Sequence, residues 1–236
     1  VVVIHSCTLA HQTHLGTFDV LGDMMGEVER SGLLNSVDRV LIFNTGIDLS
    51  TLPLFSRYER FMGKTTYTHI SENTNLFEAP TLNGLLEISN SCLPESAHVL
   101  YMHNKGVSYD PIPEFVTEWR RFMVFLLVEK HKSIFHLLES GLFDIVAPFF
   151  TPTIEQRQED GIYEIPAHIP GNFWWTTVRH LRTLNRVPYG NKLACELNFI
   201  TQGTSQLSVH AMDSKVHRLF TDARYPRSSY TNTSET

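Results

Sequence analysis

Val99-Leu100-Tyr101-Met102-His103-Asn104-Lys105-Gly106-Val107-Ser108 reads as a buried strand that ends abruptly in polar side chains and a glycine. In an open α/β sheet, ligands bind just beyond the carboxyl ends of the strands. A His, an Asn and a Lys arriving together at such an end make a donor-rich, partly cationic rim, and that chemistry suits phosphate. Two other β-branched or apolar runs end the same way. Val1–Ile4 leads into His5-Ser6-Cys7-Thr8, and Val40–Phe43 leads into Asn44-Thr45-Gly46.

Working outward, strands and helices alternate. Residues 66–70 read as a third, short strand, 99–102 as the fourth and 143–150 as a fifth. Apolar residues near helical spacing predict helices over 18–31 and from Pro80 to about Cys92, and a long pattern over 114–140 broken near Lys132. Further helices are expected over 172–184 and 192–201, and the acidic, Gln-rich stretch 154–161 reads as an exposed loop. Continuous apolar strands imply an α/β, Rossmann-like fold, a mostly parallel central sheet flanked by helices on both faces. The expected organisation is a single domain over 1–225. Residues 1–110 would be mainly its nucleotide-binding half and 111–225 mainly its acceptor half, followed by a flexible tail, 226–236.

Composition excludes several classes. At 236 residues, 42% hydrophobic and 19% charged, the chain is ordinary globular material, neither disordered nor fibrous. A net charge of −6 leaves no broad basic footprint for nucleic acid. Cys7, Cys92 and Cys195 are odd in number and widely spaced, so a disulfide framework or zinc site is not expected and a reducing, cytoplasmic setting is. No apolar run approaches the ~20 residues of a membrane helix. The opening VVVI lacks the flanks of a signal peptide, which gives Asn232-Thr-Ser little weight as a glycosylation site. A chain that opens directly in a strand is expected to be part of a longer, multidomain protein.

Defining phosphate and nucleophile motifs are missing. There is no G-x-x-x-x-G-K-[ST], no G-x-G-x-x-G after the first strand, no G-x-S-x-G, and no C-x-x-C or H-x-x-x-H. The candidates that remain are four. The first is the His103-Asn104-Lys105-Gly106 strand end, weighed against a solvated turn. The second is His168-Ile-Pro-Gly171-Asn172-Phe173-Trp174-Trp175. Read as helical, adjacent tryptophans point about 100° apart, so one is expected in the core and the other at a cleft, where its face suits a sugar ring while Asn172 bonds hydroxyls. The third is Trp119-Arg120-Arg121, where Arg120 either grips a diphosphate bidentately or makes a surface ion pair. The fourth is Glu196, either a base or hydroxyl acceptor or a solvated helix residue.

Taken together, Tyr101-Met-His103-Asn-Lys105-Gly106, Trp119-Arg120-Arg-Phe-Met123, Gly171-Asn172-Phe173-Trp174-Trp175 and Glu196 resemble a glycosyltransferase family of bacteria and large viruses. Glu78-Ala-Pro80-Thr81-Leu82 also fits that pattern. More loosely, the chain is similar to a small glycosyltransferase domain of chlorella viruses. The matches keep their order over residues 78–200. The resemblance implies a GT-A-type fold and a hexosyl- or deoxyhexosyl-transferase that moves sugar from a nucleoside-diphosphate sugar, most plausibly a UDP-sugar, to a glycan or other hydroxyl acceptor. It implies donor binding by Ser6, Cys7, Thr8, Asn44, Thr45, His103, Asn104, Lys105, Gly106 and Arg120. It implies acceptor binding by His168, Gly171, Asn172, Trp174 and Trp175, with Glu196 and Lys105 catalytic. Many GT-A enzymes hold Mn²⁺ or Mg²⁺ on a D-x-D motif at the fourth strand, and here His103-Asn104-Lys105 stands in its place. Either Lys105 neutralises the diphosphate without metal, or His103 ligates one beside the phosphates. Two rival readings remain, a domain that binds nucleotide-sugar or carbohydrate without turnover, and a nucleotidyltransferase consuming nucleoside triphosphates.

Overall fold

Hydrophobic alternation along Val1–Ile4 sets the layering. Val2 and Ile4 enter one buried cluster and Val1 and Val3 the other, so the strand they form must lie between two helical layers. In the computed structural model, which describes residues 1–9, 14–53, 55–56, 63–158, 161–202, 207–213 and 230, that strand is β1 (Val2–Thr8). It is followed by α1 (His14–Arg30), the short α2 (Leu33–Ser36), β2 (Val40–Gly46), β3 (Thr65–Ser71), α3 (Ala79–Ser91) and β4 (His98–His103). Then come α4 (Glu114–Val124), α5 (His131–Glu139), β5 (Ile145–Ala147), the ribbon β6 (Ile154–Gln158) and β7 (Gly161–Ile165), β8 (Trp174–Thr177), α6 (Val178–Leu181) and β9 (Val209–Ala211).

Among the described residues, one seven-stranded sheet runs in the order β3-β2-β1-β4-β8-β5-β9. The pairs β3–β2, β2–β1, β1–β4 and β5–β9 are parallel, and only β8 runs antiparallel to its two neighbours. The α/β fold with a mostly parallel, helix-flanked sheet is therefore as expected. One sheet spans both halves of the chain, since β8 from residues 111–225 pairs with β4 from residues 1–110. No described helix is long and apolar enough to cross a membrane, and Cys7, Cys92 and Cys195 are unbonded.

Several expected elements differ. Residues 172–184 hold not one helix but β8 and the four-residue α6. Trp-Trp-Thr-Thr is aromatic and β-branched, which suits a strand, and burial on both faces erases the polar alternation that would have announced one. Within the stretch expected as a loop, residues 154–158 form β6 and Gly161 opens β7, paired antiparallel. The long helix breaks as expected, through a π-helical turn at Phe125–Glu129 that ends at Lys130. Another π-turn, Ala194–Asn198, occupies the expected helix 192–201. The tail lies outside the described residues except Tyr230, which is buried with its ring 4.8 Å from those of Phe122 and Phe125. Most consequential for the site, β1 runs four residues and β2 three past their apolar runs, so Ser6, Thr8, Asn44 and Thr45 belong to the sheet interior.

Candidate functional site

The carboxyl ends of β1 and β4 open into a cleft of about 460 Å³. His5 and Cys7 reach it from β1, and His103 from β4 with Asn104, Lys105 and Gly106 after it. Thr74, Asn75, Phe77 and Glu78 close one side. Val107, Tyr109, Phe115 and Trp119 add an apolar wall, and Lys192 and Glu196 come from the segment of the second π-turn. The His103-Asn104-Lys105-Gly106 strand end thus lies where the sequence put it, and Glu196, 91 positions later than Lys105 in the chain, shares the same cleft.

Lys105 is the cationic centre. Its Nζ lies 4.3 Å from the centroid of the Trp119 ring, and among the described residues it has no hydrogen-bond or ion-pair partner. Burial lowers its ammonium below the ordinary lysine value, and the carboxylates of Glu196 and Glu78 oppose that shift. Glu196 is ion-paired with Lys192 at 3.7 Å, its side chain 33% exposed. Gly106 adopts φ +99°, and a Cβ there would come within 2.8 Å of Val116 Cγ1, so the turn that aims Lys105 requires glycine.

The backbone of this turn is tied from both sides. Asn104, 2% exposed, accepts from Cys7 N–H at 3.1 Å and donates to Cys7 O at 2.9 Å and to Ser6 Oγ at 3.4 Å. It closes the gap beyond the last β1–β4 pair. Arg120, also buried, donates from Nη1 to the Lys105 carbonyl at 2.7 Å, and burial lowers its guanidinium to about 10. Its side chain lines a different groove, beside Asp23 and Glu27 of α1. Where the sequence had Arg120 grip a diphosphate, the structure turns its guanidinium to the Lys105 carbonyl and away from the cleft lining.

Other assignments are corrected in the same way. Ser6, Thr8, Asn44 and Thr45 are buried within the sheet, where Thr8 Oγ1 donates to Asn44 Oδ1 at 3.1 Å and Asn44 Nδ2 donates to Ile47 O at 2.8 Å. They do not line the cleft, because side chains inside a sheet covered on both faces meet helices rather than solvent. His168 bonds Pro166 O at 2.9 Å and bridges to Thr151, away from the cleft.

Trp174 and Trp175 are both 0% exposed, so neither borders an acceptor cleft. On a strand, neighbours point to opposite faces. Trp174 stacks on Tyr101 at 4.8 Å in one layer, and Trp175 meets Phe135 edge-on at 5.2 Å in the other. Each indole is satisfied internally, by Asn172 Oδ1 and by Leu127 O, both at 2.9 Å. Asn172 is likewise spent within the protein, donating to Glu78 Oε2 at 2.6 Å and to Cys195 O at 3.3 Å.

Gly171 has φ +87°, and a Cβ would overlap Met123 Sδ. It is a packing glycine that also offers its carbonyl to His103 Nε2–H at 2.9 Å. Gly171→Ala is expected to cost about 1–3 kcal/mol of stability, from overpacking and the left-handed backbone. Chemical denaturation reads this, and an unchanged midpoint would contradict it.

Burial holds His5 and His103 neutral, at about 4 and about 3; Glu78 partly opposes the shift at His5, and the Lys105 charge adds to it at His103. Both folded values lie below the unfolded value of 6.5, so the unfolded chain binds protons first as the pH falls. Stability is full above pH ~6.5 and declines toward the folded values. The slope is at most about 1.4 kcal/mol per pH unit for each ring. Melting temperatures measured from pH 7.5 to 5 should fall steadily below pH 6.5, and His5→Gln should flatten the profile.

The fit to a metal is poor. Among the described residues no three His, Cys, Asp or Glu side chains converge on one position. His103 Nε2 is committed to Gly171, and Glu78 Oε2 accepts from both Tyr101 Oη (2.5 Å) and Asn172. Glu78, Tyr101 and Trp119 stood in quoted motifs but had no site role assigned from sequence; Glu78 and Trp119 line the cleft, and Tyr101 bonds Glu78 behind it. The signal available was Glu78-Ala-Pro80, whose glutamate precedes a helix and had no assigned task.

No protein-family model and no curated protein matches the chain. Among solved structures it is similar to HddC from Yersinia pseudotuberculosis, at 11% identity and TM-score 0.46, over 89% of each chain. It is also similar to the 4-diphosphocytidyl-2C-methyl-D-erythritol synthase of Anaerococcus prevotii, at 11% identity and TM-score 0.43, over 89% of this chain and 85% of that one.

Proposed function

We propose that the cleft binds the diphosphate of a nucleotide ligand, and that the protein is a glycosyltransferase using a nucleoside-diphosphate sugar. The observation that carries the first part is Lys105, a partly buried ammonium at a strand's carboxyl end with no acceptor of its own among the described residues. Desolvation of that ammonium is only partly offset by Glu196, Glu78 and the Trp119 ring, and an arriving anion would complete the offset. The second part is supported by the order of sequence motifs and by a carboxylate, Glu196, sharing the cleft with Lys105.

In this reading an acceptor hydroxyl attacks the anomeric carbon, and the bond to the diphosphate oxygen breaks. The Lys105 ammonium stabilises the charge that develops on that oxygen, which is where fixed electrostatics contribute most. Glu196 takes the hydroxyl proton if configuration inverts. Acceptor contacts are reassigned from the buried tryptophans to the exposed aromatic wall, where Tyr109 is 51% and Phe115 37% exposed. Donor binding is expected at Cys7, His103, Lys105 and Gly106.

The test incubates the protein with UDP-glucose, UDP-galactose or UDP-N-acetylglucosamine and a panel of glycan acceptors, with and without EDTA, and measures UDP release. A parallel set supplies nucleoside triphosphates with sugar phosphates and measures pyrophosphate. UDP release that depends on Lys105 supports the proposal. Pyrophosphate instead identifies a nucleotidyltransferase, and saturable UDP-sugar binding without turnover identifies a binding domain. Loss of turnover in EDTA, restored by Mn²⁺ or Mg²⁺, would assign a metal role to the phosphates' own ligands.

A further inference from the structure

Among the described residues, two non-glycine positions have positive φ, Phe77 (52°) and Asn172 (53°), and both serve one carboxylate. Phe77 precedes Glu78, and Asn172 reaches back to it from the turn before β8. Asparagine tolerates the left-handed region, but a phenylalanine at φ 52°, ψ −139° persists only where its surroundings over-determine it. Such positions cluster at working sites, and Glu78 lines the Lys105 cleft.

The Glu78 oxygens are unequal. Oε2 accepts from Tyr101 Oη–H at 2.5 Å and Asn172 Nδ2–H at 2.6 Å. Oε1 instead faces His103 Nδ1 at 3.7 Å, too far for a hydrogen bond. The His103 ring is neutral, and its single proton belongs on Nε2, because that nitrogen lies 2.9 Å from the Gly171 carbonyl oxygen, which can only accept. Nδ1 therefore presents a lone pair. Two acceptors confront each other on the cleft wall, with side chains only 12% and 8% exposed, and the Lys105 charge acts on both. Unpaired with each other and reachable from the cleft, the two acceptors can be bridged by one donor that enters it.

We propose that Glu78 Oε1 and His103 Nδ1 form a hydroxyl-reading site: a ligand O–H next to the phosphate held by Lys105 donates into the pair, and its presence on the sugar selects the donor substrate. This rests on the donor reading above and extends it to the sugar. A hydroxyl supplies the missing donor, whereas a carboxylate or a second phosphate would add a further acceptor and be rejected.

Glu78→Gln separates recognition from folding. Its amide oxygen can take over the bonds from Tyr101 and Asn172, while its NH₂ donates to His103 Nδ1 and closes the pair internally. Affinities for UDP, UDP-glucose, UDP-galactose and UDP-N-acetylglucosamine are measured by calorimetry on wild type, Glu78→Gln and His103→Gln. The last variant keeps an N–H for Gly171 and removes Nδ1. In wild type the preferred UDP-sugar should bind roughly tenfold or more tighter than UDP, as a hydrogen bond to a charged group implies. In either folded variant that ratio should collapse toward one; the ratio rather than the UDP affinity is the readout, because both side chains line the Lys105 cleft. A ratio that persists in a folded variant, or no sugar preference in wild type, overturns the proposal and leaves the donor reading standing. No binding of UDP or any UDP-sugar to wild type overturns both. Wild-type ¹⁵N NMR decides independently of the variants. His103 Nδ1 should be unprotonated and should shift with the UDP-sugar but not with UDP, and a protonated Nδ1 overturns the proposal.

Discussion

Trp174→Ala and Trp175→Ala should each cost about 3–5 kcal/mol of folding free energy, the usual range for emptying a fully buried aromatic site. In a chain of this size that lowers the melting temperature by about 6–20 °C. The two losses fall in different layers. Trp174→Ala removes the stack on Tyr101 and the donor to Asn172 Oδ1, loosening the partners of Glu78. Trp175→Ala leaves Leu127 O without its indole and Phe135 without its edge contact. Thermal melts of both variants check this. A variant that melts like wild type but loses transfer would return that tryptophan to the cleft.

Lys105→Met should reduce UDP affinity roughly 10- to 150-fold, the equivalent of a charge-assisted contact worth about 1.5–3 kcal/mol. Methionine keeps an apolar stem against Trp119, so stability should change little, since the desolvation relieved is offset by the lost attraction to Glu196, Glu78 and the Trp119 ring. Lys132→Ala, at an exposed position of α5, is the control and should change affinity by less than about fivefold. Calorimetric titration with UDP distinguishes them, and equal effects would reduce Lys105 to an ordinary surface charge.

Much of the architecture was legible because burial leaves a one-dimensional trace. VVVI, VLIF and VLYM are apolar on both faces, which only a strand between two helical layers requires, and His103 to Gly106 marks where that layer ends. Lys105 and Glu196 could be picked out as charges beside apolar runs, and the cleft holds both. What misled was polarity within the sheet. Ser6, Thr8, Asn44 and Thr45 look like strand-end ligands by residue type, yet they are buried strand positions, three of them bonded within the chain. Hydrogen-bond partners 36 or 98 positions apart leave no local signature.

By itself, then, the sequence determined the layered α/β fold and the end of β4 as the place to look, since strand periodicity and the switch from apolar to polar residues are local properties of the chain. Tertiary structure alone decided which polar groups stay free. Adjacent tryptophans diverge by 180° rather than 100° once β4 and β5 recruit them into a strand, and both are thereby buried. Asn104, Arg120 and Asn172 are consumed by partners 15 to 98 positions away, while among the described residues the Lys105 ammonium, Glu78 Oε1 and His103 Nδ1 have no hydrogen-bond partner. A hydrogen bond is a pairwise fact about space, and the free valence of a side chain exists only after every competing partner has been placed.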